Sequence, residues 1–430
     1  MFRTLHRNIK IRLFVGFLFS IAQATTMPFM AIYFASTIGE AVAGLLLAIA
    51  TMGSLLASFV SGYYCDKIGR RPIMLFGEVV FFASYVLMAA ANSPWWSSPW
   101  ATFMAFLTST ICFGLYVPAD DAMLLDVTDV ADRPVVYGMF YWMYNLTLAI
   151  GSSVGAFLFE GHRMLLFTIT GVAILITLFT TIFFIQETHP VTDAHSLTHP
   201  VHATSLFHVY RRVFNDRRFV LYLIGGLCAA TLEAQLNNYI GIHLAKNMTT
   251  TTITTLHHIS LRVDGLKMVG LLQTENTILV VLLATLAIRF VTRRDRRRTL
   301  FAGLALNAIG YVLMVVFTNP YILLGTMLVA TIGEVINTPI RQAYLGELAP
   351  EEMRSSYAAM NGVSFTAARL VASLAVVLGA IVPHWTMVGI TALFGFTGIM
   401  LLRIVANQLP RFQPRDPFTD NIPTTTSSQT

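Results

Sequence analysis

The chain alternates long uncharged apolar runs with short polar clusters, and the runs have the length of membrane-crossing helices. Residues 41–65 hold no charged side chain, and the stretch from Pro72 to Pro99 holds one, Glu78. About 18–20 apolar residues suffice to cross the hydrocarbon core as a helix. Uncharged runs and turn signals predict helices 1–6 near 12–35, 41–62, 73–91, 100–126, 135–159 and 164–186. Helices 7–12 follow near 219–243, 268–290, 299–318, 321–345, 355–382 and 385–406. Two divisions rest on turn chemistry, at Asn319-Pro320 and Pro383-His384, because proline and the residue before it resist helical continuation. The first run is too long for a cleavable leader, and no small-residue cleavage site follows it. The pattern predicts an all-α membrane protein with twelve crossings.

Charge orients these helices. With the amino terminus inside, most of the 28 Lys and Arg fall in cytoplasmic segments, Arg12 and Arg341 counted among them. The outer loops receive only Arg163, Lys246, Arg262 and Lys267, and Arg369 falls within helix 11. The positive-inside rule therefore places both termini in the cytoplasm. At 55% hydrophobic and 12% charged, the chain is far from the quarter or so of charged residues in soluble domains. The net charge of +6 reads as topology and contact with anionic lipid, not as a nucleic-acid footprint. Cys65, Cys112 and Cys228 lie in or at the ends of apolar runs and are too few for a disulfide framework.

The sequence also repeats itself. "VPADDAMLLDVTDVADRPVVYGM" (117–139) aligns with "TPIRQAYLGELAPEEMRSSYAAM" (338–360), matching Pro118 with Pro339, Asp126 with Glu347 and Arg133 with Arg354. Both stretches are the end of a fourth helix and its loop if helices 1–6 and 7–12 are two copies. Parallel six-helix halves with a substrate site between them are a transporter design. The expected division is an amino-terminal bundle 1–186, a cytoplasmic connector 187–218, a carboxy-terminal bundle 219–406 and a disordered tail 407–430.

Between helices 2 and 3 stands "GYYCDKIGRRP" (62–72), with Gly62, Asp66, Lys67, Gly69, Arg70 and Arg71 at the fixed positions of G-x-x-x-D-[RK]-x-G-[RK]-[RK]. With twelve crossings and a repeat, the chain resembles the major facilitator superfamily, within it the twelve-helix drug/proton antiporters and most the lactococcal multidrug–proton antiporter group. The likeness runs through "IRLFVGFL" (11–18), "YWMYNLTLAIGSSVGAFLF" (141–159), "IGEVINTP" (332–339) and "MNGV" (360–363). It implies a cytoplasmic latch, with Asp66 docked near the start of helix 11 and the arginines reaching Asp126. Two family features are missing. Thr110 replaces the helix 4 arginine found in many relatives, and "GSSVGA" (151–156) lacks the proline of the helix 5 signature.

Intramembrane acids are costly and usually functional. Glu334 in helix 10 lies past the expected midplane, and an acid there can hold a proton or a cation by turns. Glu233 in helix 7 has Asn237 nearby, and Arg369 stands at a similar depth as a possible counter-ion. Asp120 and Asp121 follow Pro118 in the inner third of helix 4; adjacent helical residues diverge, so at most one faces a cavity. Glu78 and Glu275 lie close to the expected helix ends. Gln23, Met27, Tyr33, Tyr141, Trp142, Asn145 and Asn237 are the expected cavity lining, since aromatic faces attract cations and methionine adapts to shape.

The five histidines of the connector match no compact metal site, and no Walker loop or nucleophile–base arrangement supports ATP drive or an enzyme. The resulting expectation is a monomeric plasma-membrane carrier without cofactor, driven by protons and exporting small lipophilic, often cationic, drugs. The alternative is proton-linked transport of a specific metabolite such as a sugar, peptide or siderophore.

Overall fold

A computed structural model describes residues 7–128, 133–188, 213–254, 260–292, 294–350 and 354–409. Helix 1 comprises Arg7–Ala24, a tight turn at Met27–Phe29 and Met30–Ile38. Helices 2, 3 and 4 are Glu40–Ile68, Arg70–Ala90 and Pro99–Asp126. Helices 5 and 6 form one stretch, Arg133–Phe184, divided where His162 leaves helical geometry at φ −136°. Helix 7 comprises Arg217–Ala234, a widened, underwound turn at Leu236–Ile240 that breaks at Asn238, and Gly241–Asn247. Helices 8 to 12 are Gly265–Thr292, Arg296–Val316, Pro320–Leu348, Arg354–Gly379 and His384–Gln408. Counting the division at His162, the described residues cross the membrane twelve times.

Local chemistry sets the boundaries. Gly39 and Gly69 adopt φ of 94° and 97°, a region that L side chains avoid, and each separates two helices. Asn319 caps helix 10 by accepting from the amides of Tyr321 and Ile322, with Pro320 as first helical residue. Asp216 and Asp295 cap helices 7 and 9 in the same way. The outer loops contain two small hairpins, β1–β2 (Asn92–Ser93 with Trp96–Ser97) and β3–β4 (Thr251–Thr254 with Ser260–Val263). Neither is visible in the hydrophobic pattern. Most of the connector and the tail, with the reading of each, lies outside the described residues.

Helix 1 packs on helices 5 and 6, helix 2 on 4, and helix 3 on 4 and 6. In the second half helix 7 packs on 11 and 12, helix 9 on 10 and 12, and helix 8 on 10. Small residues permit the closest approaches, as is usual between membrane helices. Gly114 lies on the Ser54 backbone, and Gly151 and Gly155 lie on helix 1 at its break.

The halves meet through helix 2 on 11 and helix 5 on 8. Gly44 touches Ser373 and Val377 near the outer ends of helices 2 and 11. Ser153 Oγ lies 2.7 Å from Thr274 Oγ1 across the helix 5–8 contact. Lys246 Nζ lies 2.6 Å from Glu40 Oε1 at the outer surface. These ties sit in the outer half of the membrane.

Candidate functional site

Helices 7, 8, 9 and 10 gather polar side chains at mid-membrane. Glu334 is the midpoint of Pro320–Leu348, because helix 10 runs on past the expected end at 345. Its Oε2 accepts from Asn276 Nδ2 at 2.9 Å, and the same amide donates to Thr331 Oγ1 at 3.0 Å. Glu233 stands just before the break in helix 7 and is within electrostatic reach of Glu334 and Arg341. Tyr311 of helix 9 is buried within electrostatic reach of both acids.

Arg341 is 6% exposed, two turns beyond Glu334 on helix 10. It is a buried cation, not a cytoplasmic loop charge. Arg369 is an exposed residue of helix 11, so the cation that accompanies Glu233 is Arg341. The pattern of hydrogen bonds around these acids is lopsided. Glu233 Oε1, Gln235 Oε1, Asn237 Oδ1 and Glu275 Oε2 are buried and accept no hydrogen bond among the described residues. Asn237 Nδ2 donates to Gln273 Oε1 at 3.3 Å, which leaves its own oxygen unused. Glu275 is one turn deeper than expected because helix 8 begins at Gly265.

The amino-terminal half holds a second cluster. Asp120 is ion-paired to Arg12, a 3% exposed residue of helix 1 that charge counting had assigned to the cytoplasm. Asp121 is an exposed residue of helix 4. Glu78 accepts from Thr181 at 2.9 Å.

The loop after helix 2 binds its own half. Arg70 Nη1 donates to Cys65 O at 2.6 Å, and its Nε lies 3.5 Å from Asp126 Oδ2. Arg71 does not reach Asp126; it donates to Ile182 O at 2.5 Å on helix 6. Glu187 accepts from the amides of Arg70 and Arg71 at 3.1 and 3.0 Å and so caps helix 3. Lys67 is exposed. The packing of Gly62 and the side chains of Asp66 and of Arg354, Ser355 and Ser356 at the start of helix 11 lie outside the described residues. The second half repeats the pairing, with Arg296 Nη1 2.6 Å from Glu347 Oε1.

Of the expected cavity lining, Gln23 and Met27 are half-buried at the break in helix 1, and Asn145 is buried. Trp142 is 57% exposed, whereas Tyr33 is enclosed by Phe34, Phe159 and the guanidinium of Arg163 near the outer end. Tyr33 therefore belongs to an aromatic core, not to the cavity. The side chain of Tyr141 lies outside the described residues.

This architecture, with both first helices of the halves broken at mid-membrane, is matched among known proteins. The family model of the Major Facilitator Superfamily matches residues 12–261 and again 238–426. The chain belongs to this superfamily. It is 30% identical to a "Na(+), Li(+), K(+)/H(+) antiporter" of Planococcus maritimus over 87% of this chain and 90% of that protein. It is 22% identical to "Multidrug resistance protein MdtH" of Blochmanniella floridana over 71% of this chain and 69% of that one. A crystal structure of a POT family transporter with a thioalcohol-conjugated peptide superposes with a TM-score of 0.74 at 13% identity, covering 94% and 98% of the two chains. The last likeness concerns the fold alone.

As a superfamily member the protein is a multi-pass membrane protein and a secondary transporter, not an enzyme. Alternating access then requires the outer ties to open. The Glu40–Lys246 pair is exposed, and such pairs contribute about 0–1 kcal/mol. Lys246→Gln is therefore expected to widen spin-label distances between the outer ends of helices 2 and 7 in a minor fraction of molecules. An unaltered distance distribution would mean that apolar packing alone closes the outer side.

Proposed function

We propose that the protein is a proton-coupled antiporter that exports a small monovalent inorganic cation. The observation that carries this reading is the set of unpaired buried oxygens around Glu233 and Glu334. Carboxylate and amide oxygens are the ligands of hard cations, and a proton can occupy a carboxylate in a cation's place. Glu233 and Glu334 bring two negative charges when ionised, and Arg341 brings one positive charge. One further positive charge balances the site, and burying an unbalanced charge is costly. A proton or a monovalent cation supplies that charge, but not both together. Mutually exclusive occupancy at one site is what exchange requires. The break in helix 7 adds unwound backbone beside the acids, a common ion-site device in transporters. The printed name of the Planococcus relative, an alkali cation/proton antiporter, agrees with this chemistry.

Export of lipophilic cations is the second reading, favoured by exposed Trp142 and Tyr144 on helix 5 and by the resemblance to drug exporters. It uses the same acids but needs a wider aromatic pocket. The latch is a proposal of the same standing, resting on Arg70 beside Asp126 and its repeat at Arg296 and Glu347.

Purified protein in sealed vesicles carrying a pH-sensitive dye separates these readings. Addition of Na+, K+ or Li+ is expected to drive proton movement, and the half-saturating concentration is expected to fall as pH rises and proton competition weakens. Ethidium-driven proton movement with no response to alkali cations would favour the drug exporter instead.

A further inference from the structure

The amino-terminal half contains a buried charge network that the cation site leaves unused. Glu78 of helix 3 is 1% exposed. Its Oε1 accepts from Thr181 Oγ1 of helix 6 at 2.9 Å, and its Oε2 has no hydrogen-bond partner among the described residues. The charged and titratable groups facing it are Arg12 of helix 1 and Asp120 and Tyr116 of helix 4. Cys112 of helix 4 bonds weakly to the neighbouring Gly77 carbonyl at 3.8 Å. Arg12 uses one nitrogen for its ion pair with Asp120, while its Nε and Nη1 are buried without an acceptor. The ring of Phe140 lies 5.9 Å from the guanidinium carbon. The Asp120 side chain is 29% exposed, so it is the member of the network with access to the protein surface.

Two carboxyls thus share one arginine. If both were ionised the cluster would hold an uncompensated buried negative charge, which low-dielectric surroundings oppose. One proton neutralises it, and the position of Arg12 decides which carboxyl carries that proton. In this structure Arg12 is on Asp120, so the proton belongs to Glu78, whose Oε2 is the uncommitted oxygen. The spare donors of Arg12 allow it to turn to Glu78 without leaving the bundle. Tyr116 interacts with both acids and stands as a relay between them.

We propose that Glu78 is a second proton-binding carboxyl, which passes its proton to Asp120 when Arg12 exchanges Asp120 for Glu78. The step is balanced. Neutral Glu78 loses one proton and becomes the partner of Arg12, and Asp120 gains that proton as its ion pair breaks. The proton then sits on the carboxyl that has access to the protein surface. This proposal rests on the reading of the protein as proton-coupled, but it concerns the half that does not hold the cation site.

Infrared spectroscopy of the full-length protein in lipid nanodiscs, with no gradient and no added alkali cation, tests it apart from transport. The wild type is expected to show a protonated-carboxyl band that Glu78→Gln removes. Asp120→Asn keeps the side-chain shape but releases Arg12, so it is expected to remove the Glu78 band at the same pH. Carbon-13-labelled glutamate assigns the band to Glu rather than Asp, so Asp120→Asn alone suffices should Glu78→Gln fail to fold. A band indifferent to Glu78→Gln would overturn the proposal. So would a Glu78 band that persists in folded Asp120→Asn, because Glu78 would then be a fixed neutral partner of Thr181. Failure of alkali-driven exchange in vesicles leaves these spectra as they are and bears only on the cation reading.

Discussion

Replacing Glu334 by Gln is expected to abolish cation-driven proton movement while leaving the fold intact. The substitution keeps the length of the side chain and an oxygen able to accept from Asn276, whose bond to Glu334 measures 2.9 Å. What it removes is the charge. Glu233 and Arg341 then balance each other, and the site no longer calls for a further positive charge. Hydrogen bonds and contacts to a charged group contribute about 1.5–3 kcal/mol, so apparent cation affinity should fall roughly 10- to 100-fold. The dependence of half-saturation on pH should vanish with it, because the group for which proton and cation compete is gone. Glu334→Asp restores the charge one methylene short and should recover part of both. If Glu334 only anchors Asn276, Gln serves as well and exchange survives unchanged. Glu233→Gln should resemble Glu334→Gln, and the double variant should be little worse than either, since the two acids act as one site.

The hydrophobic pattern carries the fold far but not the site. Uncharged runs mark the twelve crossings because burial of apolar side chains in lipid is a property of each segment alone. Caps and turn residues then refine the ends, as Asn319 and Pro320 do for helix 10. The breaks in helices 1 and 7 leave no comparable mark. The residues at Thr25–Phe29 and Gln235–Ile240 hold two threonines, one proline and three amides but no charge, so an uncharged run reads straight through both turns. Arg12 and Arg341 are the instructive misses. A positive-inside count treats every Arg near a helix end as a loop charge, yet both lie within helices and are buried.

The repeat did contain a signal for one of them. The alignment that pairs Pro118 with Pro339 also pairs Asp120 with Arg341, so the equivalent helix position carries opposite charges in the two halves. Charge at such a position inside both copies points to a partner on another helix, which is Arg12 for Asp120 and Glu233 of helix 7 for Arg341. Asn276 and Gln273 were hidden for a different reason. Neutral amides barely lower the hydropathy of a run, and their direction depends on which face of helix 8 meets helices 7 and 10. Glu275 lies farther from the helix end than the hydrophobic pattern suggests, because helix 8 begins at Gly265 and not near 268.

Gly333→Ala, directly beside Glu334, is expected to cost about 1–3 kcal/mol of stability, and Gly333→Val more, by overpacking the contact between helices 9 and 10. A methyl group at Gly333 would lie 2.5 Å from Gly303 O and 2.9 Å from Asn307 Cα. These are backbone atoms, so no rotamer change relieves the clash and helix 9 must move away. Gly303 in turn would meet Asn337 N and Gly333 O, each at 3.0 Å, so the contact is tight from both sides. Gly325 on the same helix has nothing within 4 Å of its would-be Cβ. Gly325→Ala is therefore expected to be neutral, or stabilising by up to about 1 kcal/mol through helix propensity. Thermal unfolding in detergent micelles compares the two, and equal melting temperatures would refute the packing argument. The displacement should reach function as well. Asn307 spans the same contact, donating to Ala330 O at 3.3 Å, and Tyr311 one turn along lies within electrostatic reach of both acids. Moving helix 9 outward loosens the wall behind Glu334, so Gly333→Ala should weaken cation affinity without altering its dependence on pH. Glu334→Gln should remove that dependence altogether, and this contrast separates the placement of the acid from its charge.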